Sequence, residues 1–162
     1  MWTINKPSMA IHRKRKKYKR QYFKNGVLLK SIFCFCVNKD KYTYTKCYNQ
    51  HGILEYYSCE KNNAAHGKEI NYFNSGILRL IGSYKNGQRN GPRYEYSLFG
   101  ILKSSGSYKK DDRIGIARSY YNSGIVETEF NFENGTRNGI GMHYYTNGLI
   151  KRKETYLNGS II

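Results

Sequence analysis

Two prolines, one tryptophan and eleven acidic residues among 162 positions are the scarcities of this chain. No run approaches the roughly 20 apolar residues that a spanning helix needs, so a transmembrane segment is not expected. No stretch sets apolar residues at helical spacing over three or four turns, which argues against a helical class. The four cysteines, Cys34, Cys36, Cys47 and Cys59, never form the paired C-x₂-C spacings of a zinc site. They are expected to be free thiols of a reducing cytosol, with no metal and no cofactor. A secretion signal is not expected either. The short apolar run Val27-Leu28-Leu29 starts late, is cut by Lys30, and is followed by no small-residue cleavage pattern. The expected compartment is therefore the cytoplasm.

Acidic residues are nearly missing from the first third. Residues 1–50 hold 13 Lys/Arg against Asp40 alone, so 12 of the net +17 charges lie there, and the remaining 112 residues carry 15 basic and 10 acidic side chains. The charge is densest at Arg13, Lys14, Arg15, Lys16, Lys17, Lys19 and Arg20. Such a block is either a solubilising arm or a site for polyanions, namely RNA, DNA or anionic lipid.

What the chain has in abundance is tyrosine (17) and glycine (16), arranged periodically. Gly26, Gly52, Gly76, Gly100, Gly124 and Gly148 step by 24 residues after a first step of 26. Four residues before each stands Tyr22, Tyr48, Tyr72, Tyr96, Tyr120 or Tyr144, and directly after each a branched aliphatic. A second series, Tyr84, Tyr108, Phe132 and Tyr156, steps by the same 24, as do Gly67, Gly91, Gly115 and Gly139. Repetition of this kind defines the architecture before any local reading does. Each unit reads as strand, tight turn at Asn74-Ser75-Gly76 or its copies, strand, and a longer turn such as Lys85–Gly91. Strict alternation places both aromatic series on one apolar face and Arg79, Lys103, Glu127 and Glu129 on a wet one. A lone hairpin of this kind is marginal, so neighbouring units must stack.

The run Tyr-x-x-x-Gly-Ile/Leu, followed by Gly-x-Tyr-x-x-Gly-x-x-x-Gly, resembles the MORN repeat. More closely, it resembles the variant MORN-type repeat of bacterial antitoxin proteins from toxin–antitoxin systems. The clearest copies run from Tyr72 to Gly91, Tyr96 to Gly115 and Tyr120 to Gly139, with a partial copy from Tyr144 and degenerate ones from Tyr48 and Tyr22. Asp111 departs from the pattern at a turn glycine, and Phe99 at a small polar turn residue. The resemblance covers residues 22–162 and implies an all-β fold: tandem β-hairpin repeats of 24-residue period in an elongated single antiparallel sheet. The organisation expected is a basic arm at 1–21, degenerate repeats at 22–66 and regular repeats at 67–162. Tyr72, Gly76, Tyr84, Gly91, Tyr96, Gly100, Tyr108, Gly115, Tyr120, Gly124, Phe132, Gly139, Tyr144 and Gly148 are its structural residues.

No catalytic constellation emerges. His12, His51, His66 and His143 have no nucleophile or metal partner at a recognisable spacing, and His143 is expected to face solvent. Asp111-Asp112 falls at a turn, where aspartate serves local hydrogen bonding, and Glu127 with Glu129 reads as a solvated strand face. The expected function is non-enzymatic. The resemblance implies an antitoxin or immunity protein holding a protein partner, and a basic protein of that kind implies a toxin with an acidic surface. The alternative is a binder of nucleic acid or anionic phospholipid acting through Arg13–Arg20.

Overall fold

The computed structural model describes Thr3, Ile4 and residues 17–162. Among these residues every regular element is a β-strand. They are β1 (Thr3–Ile4), β2 (Lys17–Lys24), β3 (Val27–Val37), β4 (Asp40–Tyr48), β5 (Leu54–Lys61), β6 (Ala64–Tyr72), β7 (Leu78–Lys85), β8 (Gln88–Arg89), β9 (Gly91–Tyr96), β10 (Leu102–Lys109), β11 (Asp112–Tyr120), β12 (Val126–Glu133), β13 (Thr136–Tyr144), β14 (Ile150–Leu157) and β15 (Ser160–Ile161). The all-β reading and its tandem hairpins are what the chain forms. Two units divide it: the first runs to Leu78 and includes Tyr84–Gly87, and the second comprises Arg79–Ser83 and Gln88–Ile162.

In the first unit, sequential strands β1 to β6 pair antiparallel, with Phe33 opposite Tyr44 and Tyr44 opposite Cys59. The second unit repeats the scheme from the middle of β7 through β9 to β15, with Ala117 opposite Phe130 and Phe130 opposite Gly141. From β2 onward, antiparallel pairing of chain neighbours follows from the short connections, which leave no room for a crossover.

Two turn types alternate, and the structure reverses their expected lengths. The connection through Asn86-Gly87 is the tight one: both residues have positive φ (53° and 86°), as do Lys110-Asp111 (53° and 73°) and Asn134-Gly135 (47° and 82°). That is the signature of a two-residue type I′ hairpin, whose twist matches that of its strands. The connection containing Gly76 is wider. Phe73 N–H donates to the carbonyl of Ile77, and Gly76 N–H returns to that of Phe73 (both 2.8 Å), a pattern repeated at Ser97, Tyr121 and Tyr145. Gly139 is no turn residue but lies within β13 at a bulge. Phe130 pairs with Gly141, yet Phe132 pairs with Arg137, so the stretch 138–140 bows out against Asn131 alone.

A second irregularity corrects the assignment of faces. Ser119 pairs with Thr128, but the next residue, Tyr120, pairs with Val126, leaving Glu127 extra. Counting by alternation through that point puts Val126 and Phe130 on one face, whereas the inserted residue moves them to opposite faces. The two aromatic series therefore separate. Tyr108, Phe132 and Tyr156 share a face with Ala117 and Phe130, while Tyr120 lies with Ser105, Arg118 and Glu129 on the other. The core of the second unit is the first of these faces, where Leu80, Ala117, Phe130 and Tyr156 are buried.

Candidate binding surface

On its buried face the second unit carries a series absent from the sequence reading. Arg89, Arg113 and Arg137 also step by 24 residues, each two places before the bulge glycine. The guanidinium carbon of Arg89 lies 4.4 Å from the Tyr108 ring centre, and that of Arg113 lies 5.8 Å from Tyr108 and 4.9 Å from Phe132. Arg137 sits 3.8 Å from Phe130 and 5.3 Å from Tyr156. Register places two of the three: Tyr108 pairs with Arg113 and Phe132 with Arg137, which sets both cations on the face that carries the rings. Planar guanidinium groups stack on aromatic faces, so cations and rings alternate as a rail.

The members of this rail are partnered differently. Asp111 at its turn accepts from the Arg89 backbone N–H (2.9 Å) and from its Nε (3.1 Å). Those bonds, the backbone one first, hold the Asp111 carboxyl below the usual carboxylate range. Arg137 donates to the Tyr156 hydroxyl (3.2 Å), which donates to Glu154 (2.6 Å). Arg113 borders a small polar pocket with Arg93, Glu95, Ser104, Ser105, Gly106 and Tyr108, and its buried Nε meets no acceptor among the described residues. Arg93 itself is paired to Glu95 at 3.0 Å.

The wide turns present the other notable surface. Leu98 is 60% exposed and Phe99 is 87% exposed, at a turn tip where sister repeats carry Asn74-Ser75, Asn122-Ser123 and Thr146-Asn147. The turn does not use these two side chains. It is closed by Ser97 N–H to Ile101 (2.8 Å), Gly100 N–H to Ser97 (3.0 Å), and by the Ser97 hydroxyl accepting from Phe99 and Ile101 N–H (3.2 Å each).

The residues singled out from sequence fall as follows. Arg13, Lys14, Arg15 and Lys16 lie outside the described residues; Lys17 begins β2, and Lys19 and Arg20 follow on it, exposed. The glycines Gly76, Gly100, Gly124 and Gly148 close wide turns, while Gly91, Gly115 and Gly139 take positive φ at the start of, or within, strands. Tyr72, Tyr84, Tyr96, Tyr108, Tyr120, Phe132 and Tyr144 are all half-buried strand residues. Glu127 and Glu129 are not brought together as a carboxylate pair: Glu127 accepts from the Ser119 hydroxyl (3.2 Å) and Glu129 pairs with Arg118 (2.6 Å). His143 does not face solvent. It is half-buried against the Phe130 ring, edge-on at 5.3 Å, and bonded to Glu154 (3.2 Å), because it shares the core face with both. Among the described residues no three His, Cys, Asp or Glu side chains cluster closely enough to hold a metal ion. No helix among them is long and apolar enough to cross a membrane.

No curated protein matches the chain. Two segments do match a family model, that of the MORN repeat variant: residues 65–86, which include Tyr72, Gly76 and Tyr84, and residues 113–134, which include Gly115, Tyr120, Gly124 and Phe132. With the hairpin, the turn pair and the period recurring between and beyond those segments, the chain is a β-hairpin repeat protein, two of whose segments match the MORN repeat variant.

Proposed function

We propose that the chain is a non-catalytic binding scaffold whose second unit holds one protein partner, as an antitoxin or immunity protein holds its toxin. The observation that carries this is the exposed Leu98-Phe99 tip. Scattered exposed apolar residues are ordinary. An adjacent pair that its own turn does not need, at a site where sister turns are polar, supplies an anchor for another surface instead. Aromatic side chains are enriched in the desolvated centres of protein interfaces. The unit also carries 12 Lys/Arg against 7 Asp/Glu, a net of +5 over Arg79–Ser83 and Gln88–Ile162. Complementarity then favours an acidic partner, steered to the surface by charge and held by the apolar tip. The toxin-neutralising role itself rests on the family resemblance.

The test restores the repeat's own turn. Leu98→Asn with Phe99→Ser copies the sister tips and leaves the closing hydrogen bonds in place. Tagged wild-type protein, captured from its host in moderate salt with nuclease, is expected to retain one protein stoichiometrically, and the double variant to lose it. Co-expression with that protein should relieve its toxicity for the wild type alone. Equal recovery by both forms, or no stoichiometric protein with either, would sink the reading.

A further inference from the structure

The first unit has a surface that its repeat does not account for. Phe33 and Phe35 on β3, Tyr42 and Tyr44 on β4 and Tyr57 on β5 stand on one face of three adjacent strands. Phe35 is stacked on Tyr42 (5.3 Å, 14°) and on Tyr44 (5.7 Å, 15°), Phe33 leans on Phe35 (5.7 Å), and Tyr44 meets Tyr57 (6.3 Å). These are not the periodic core tyrosines. At the positions 24, 48, 72 and 96 residues after Tyr57 the chain has Ile81, Ser105, Glu129 and Lys153. Phe33, seven places after Gly26, corresponds to Cys59, Ser83 and Ser107, seven places after their own turn glycines. At those positions later repeats carry mostly serine, glutamate or lysine where this unit carries rings, and Phe33 remains 39% exposed.

The same face is rimmed with cations. Lys19 pairs across from Phe33, Lys46 across from Tyr57 and Lys61 across from Tyr42. Lys19 and Lys46 are exposed, and the Lys61 ammonium lies 5.9 Å from the Tyr42 ring centre. Asp40 on this side is already bound to Lys61 at 2.7 Å, and Glu60 and Glu69 pair with residues of the opposite face. The basic stretch Arg13–Arg20 runs directly into β2, the strand that carries Lys19.

We propose that this aromatic and lysine face of the first unit binds single-stranded nucleic acid. Bases stack on aromatic side chains whatever their sequence, and a basic rim tracks the phosphates; a strand-borne set of rings serves this purpose in other sheet proteins. Three interstrand spacings from β2 to β5 span about 14 Å, room for two or three unstacked bases. Duplex DNA hides its base faces within the stack, so the site discriminates against it. A charged patch alone would not discriminate in this way, which separates the proposal from simple polyanion attraction through the arm. It is also independent of the Leu98-Phe99 surface, which belongs to the second unit.

The experiment is fluorescence anisotropy with labelled oligo-dT and oligo-rU of about 12 nucleotides, a duplex of equal length, and phosphatidylserine vesicles in a parallel sedimentation assay. The single strands are expected to bind about tenfold or more tightly than the duplex. Phe33→Ala and Tyr44→Ala should each weaken them by about tenfold. Lys46→Glu changes an exposed side chain on the same face and should also weaken binding, which keeps the test decisive if an aromatic variant fails to fold by circular dichroism. Duplex bound as well as single strands, vesicles bound without oligonucleotide, or folded Phe33→Ala and Lys46→Glu proteins with unchanged affinity would overturn the proposal.

Discussion

At the scale of single residues, Gly141 shows how closely this thin core is fitted. A Cβ built there would lie 2.6 Å from Phe130 and 2.9 Å from Tyr156, two of the buried rings of the second unit. Gly141→Ala is therefore expected to destabilise by about 1–3 kcal/mol, since rings packed edge to face at 5.7 Å have no slack on that side. Gly106→Ala is the control: its Cβ would meet Ala117 and Arg113 at an ordinary 3.5 Å, and thermal unfolding should move little. Equal shifts for the two variants would contradict the packing account. Charge at this scale is equally specific. Asp40 is held low first by its bond from Lys61, Asp111 by those from Arg89, and Glu154 by that from Tyr156, then His143 and Arg152. A depressed folded-state pKa contributes stability above the ordinary carboxylate range and loses it as pH falls through the folded value. The melting temperature should thus decline on acidification below that range, and Glu154→Gln should flatten the decline; an unchanged profile in the variant would remove Glu154 from the account. Tyr, Gly and the 24-residue step were legible from sequence because each is a landmark in every copy. The fit of Gly141 was not, since only the register places it under two rings.

Elements show where alternation misleads. Strands and hairpins could be read because glycine or asparagine marks the connections from β2 onward, Lys110-Asp111 excepted, and apolar residues recur at period two. Faces could not, because the extra residue at Glu127 leaves no compositional mark while inverting the parity of the strand on either side of it, and the bowed stretch 138–140 interrupts the alternation locally. His143 was misplaced for the same reason. The arginine rail is not legible in the sequence although Arg89, Arg113 and Arg137 keep the period: basic residues near turns read as solvated until register sets them over rings. That rail makes a prediction. Arg137 covers Phe130 at 3.8 Å and donates to Tyr156, so Arg137→Ala should cost about 1 kcal/mol in chemical denaturation. Arg137→Lys keeps the charge but not the planar stack, and should recover less than half of it. Full recovery by lysine would show that charge rather than stacking holds the rail. The aromatic set of β3 to β5 is hidden for the opposite reason, that it breaks the period by which the core is recognised.

At the scale of the whole molecule, charge and apolar anchor are segregated along the chain, so its two proposed binding surfaces should answer differently to salt. Residues 1–50 carry 12 of the 17 net charges, and they lead into the face formed by Phe33, Tyr44 and Lys46; Leu98 and Phe99 belong to the mildly basic remainder. Oligonucleotide binding releases counterions, so log affinity should fall linearly with log salt at about 0.7 per phosphate contact for a single strand. Replacing Arg13, Lys14, Arg15, Lys16, Lys17 and Arg20 by glutamine removes six charges, keeps the rim residue Lys19, and should reduce that slope by up to about 4. Phe33→Ala removes a stacking surface and no charge, and should lower affinity at every salt concentration with the slope unchanged. Capture of a protein partner through Leu98-Phe99 is an apolar contact approached under charge steering. Raising salt from about 0.1 to 0.5 M should slow its association while leaving dissociation nearly constant. Titrating salt against these two variants, and against partner capture, thus separates arm, platform and tip in one set of measurements. A slope that persists after neutralising the arm would place the phosphate contacts on the rim lysines alone, whereas a slope altered by Phe33→Ala would remove stacking as the role of that ring.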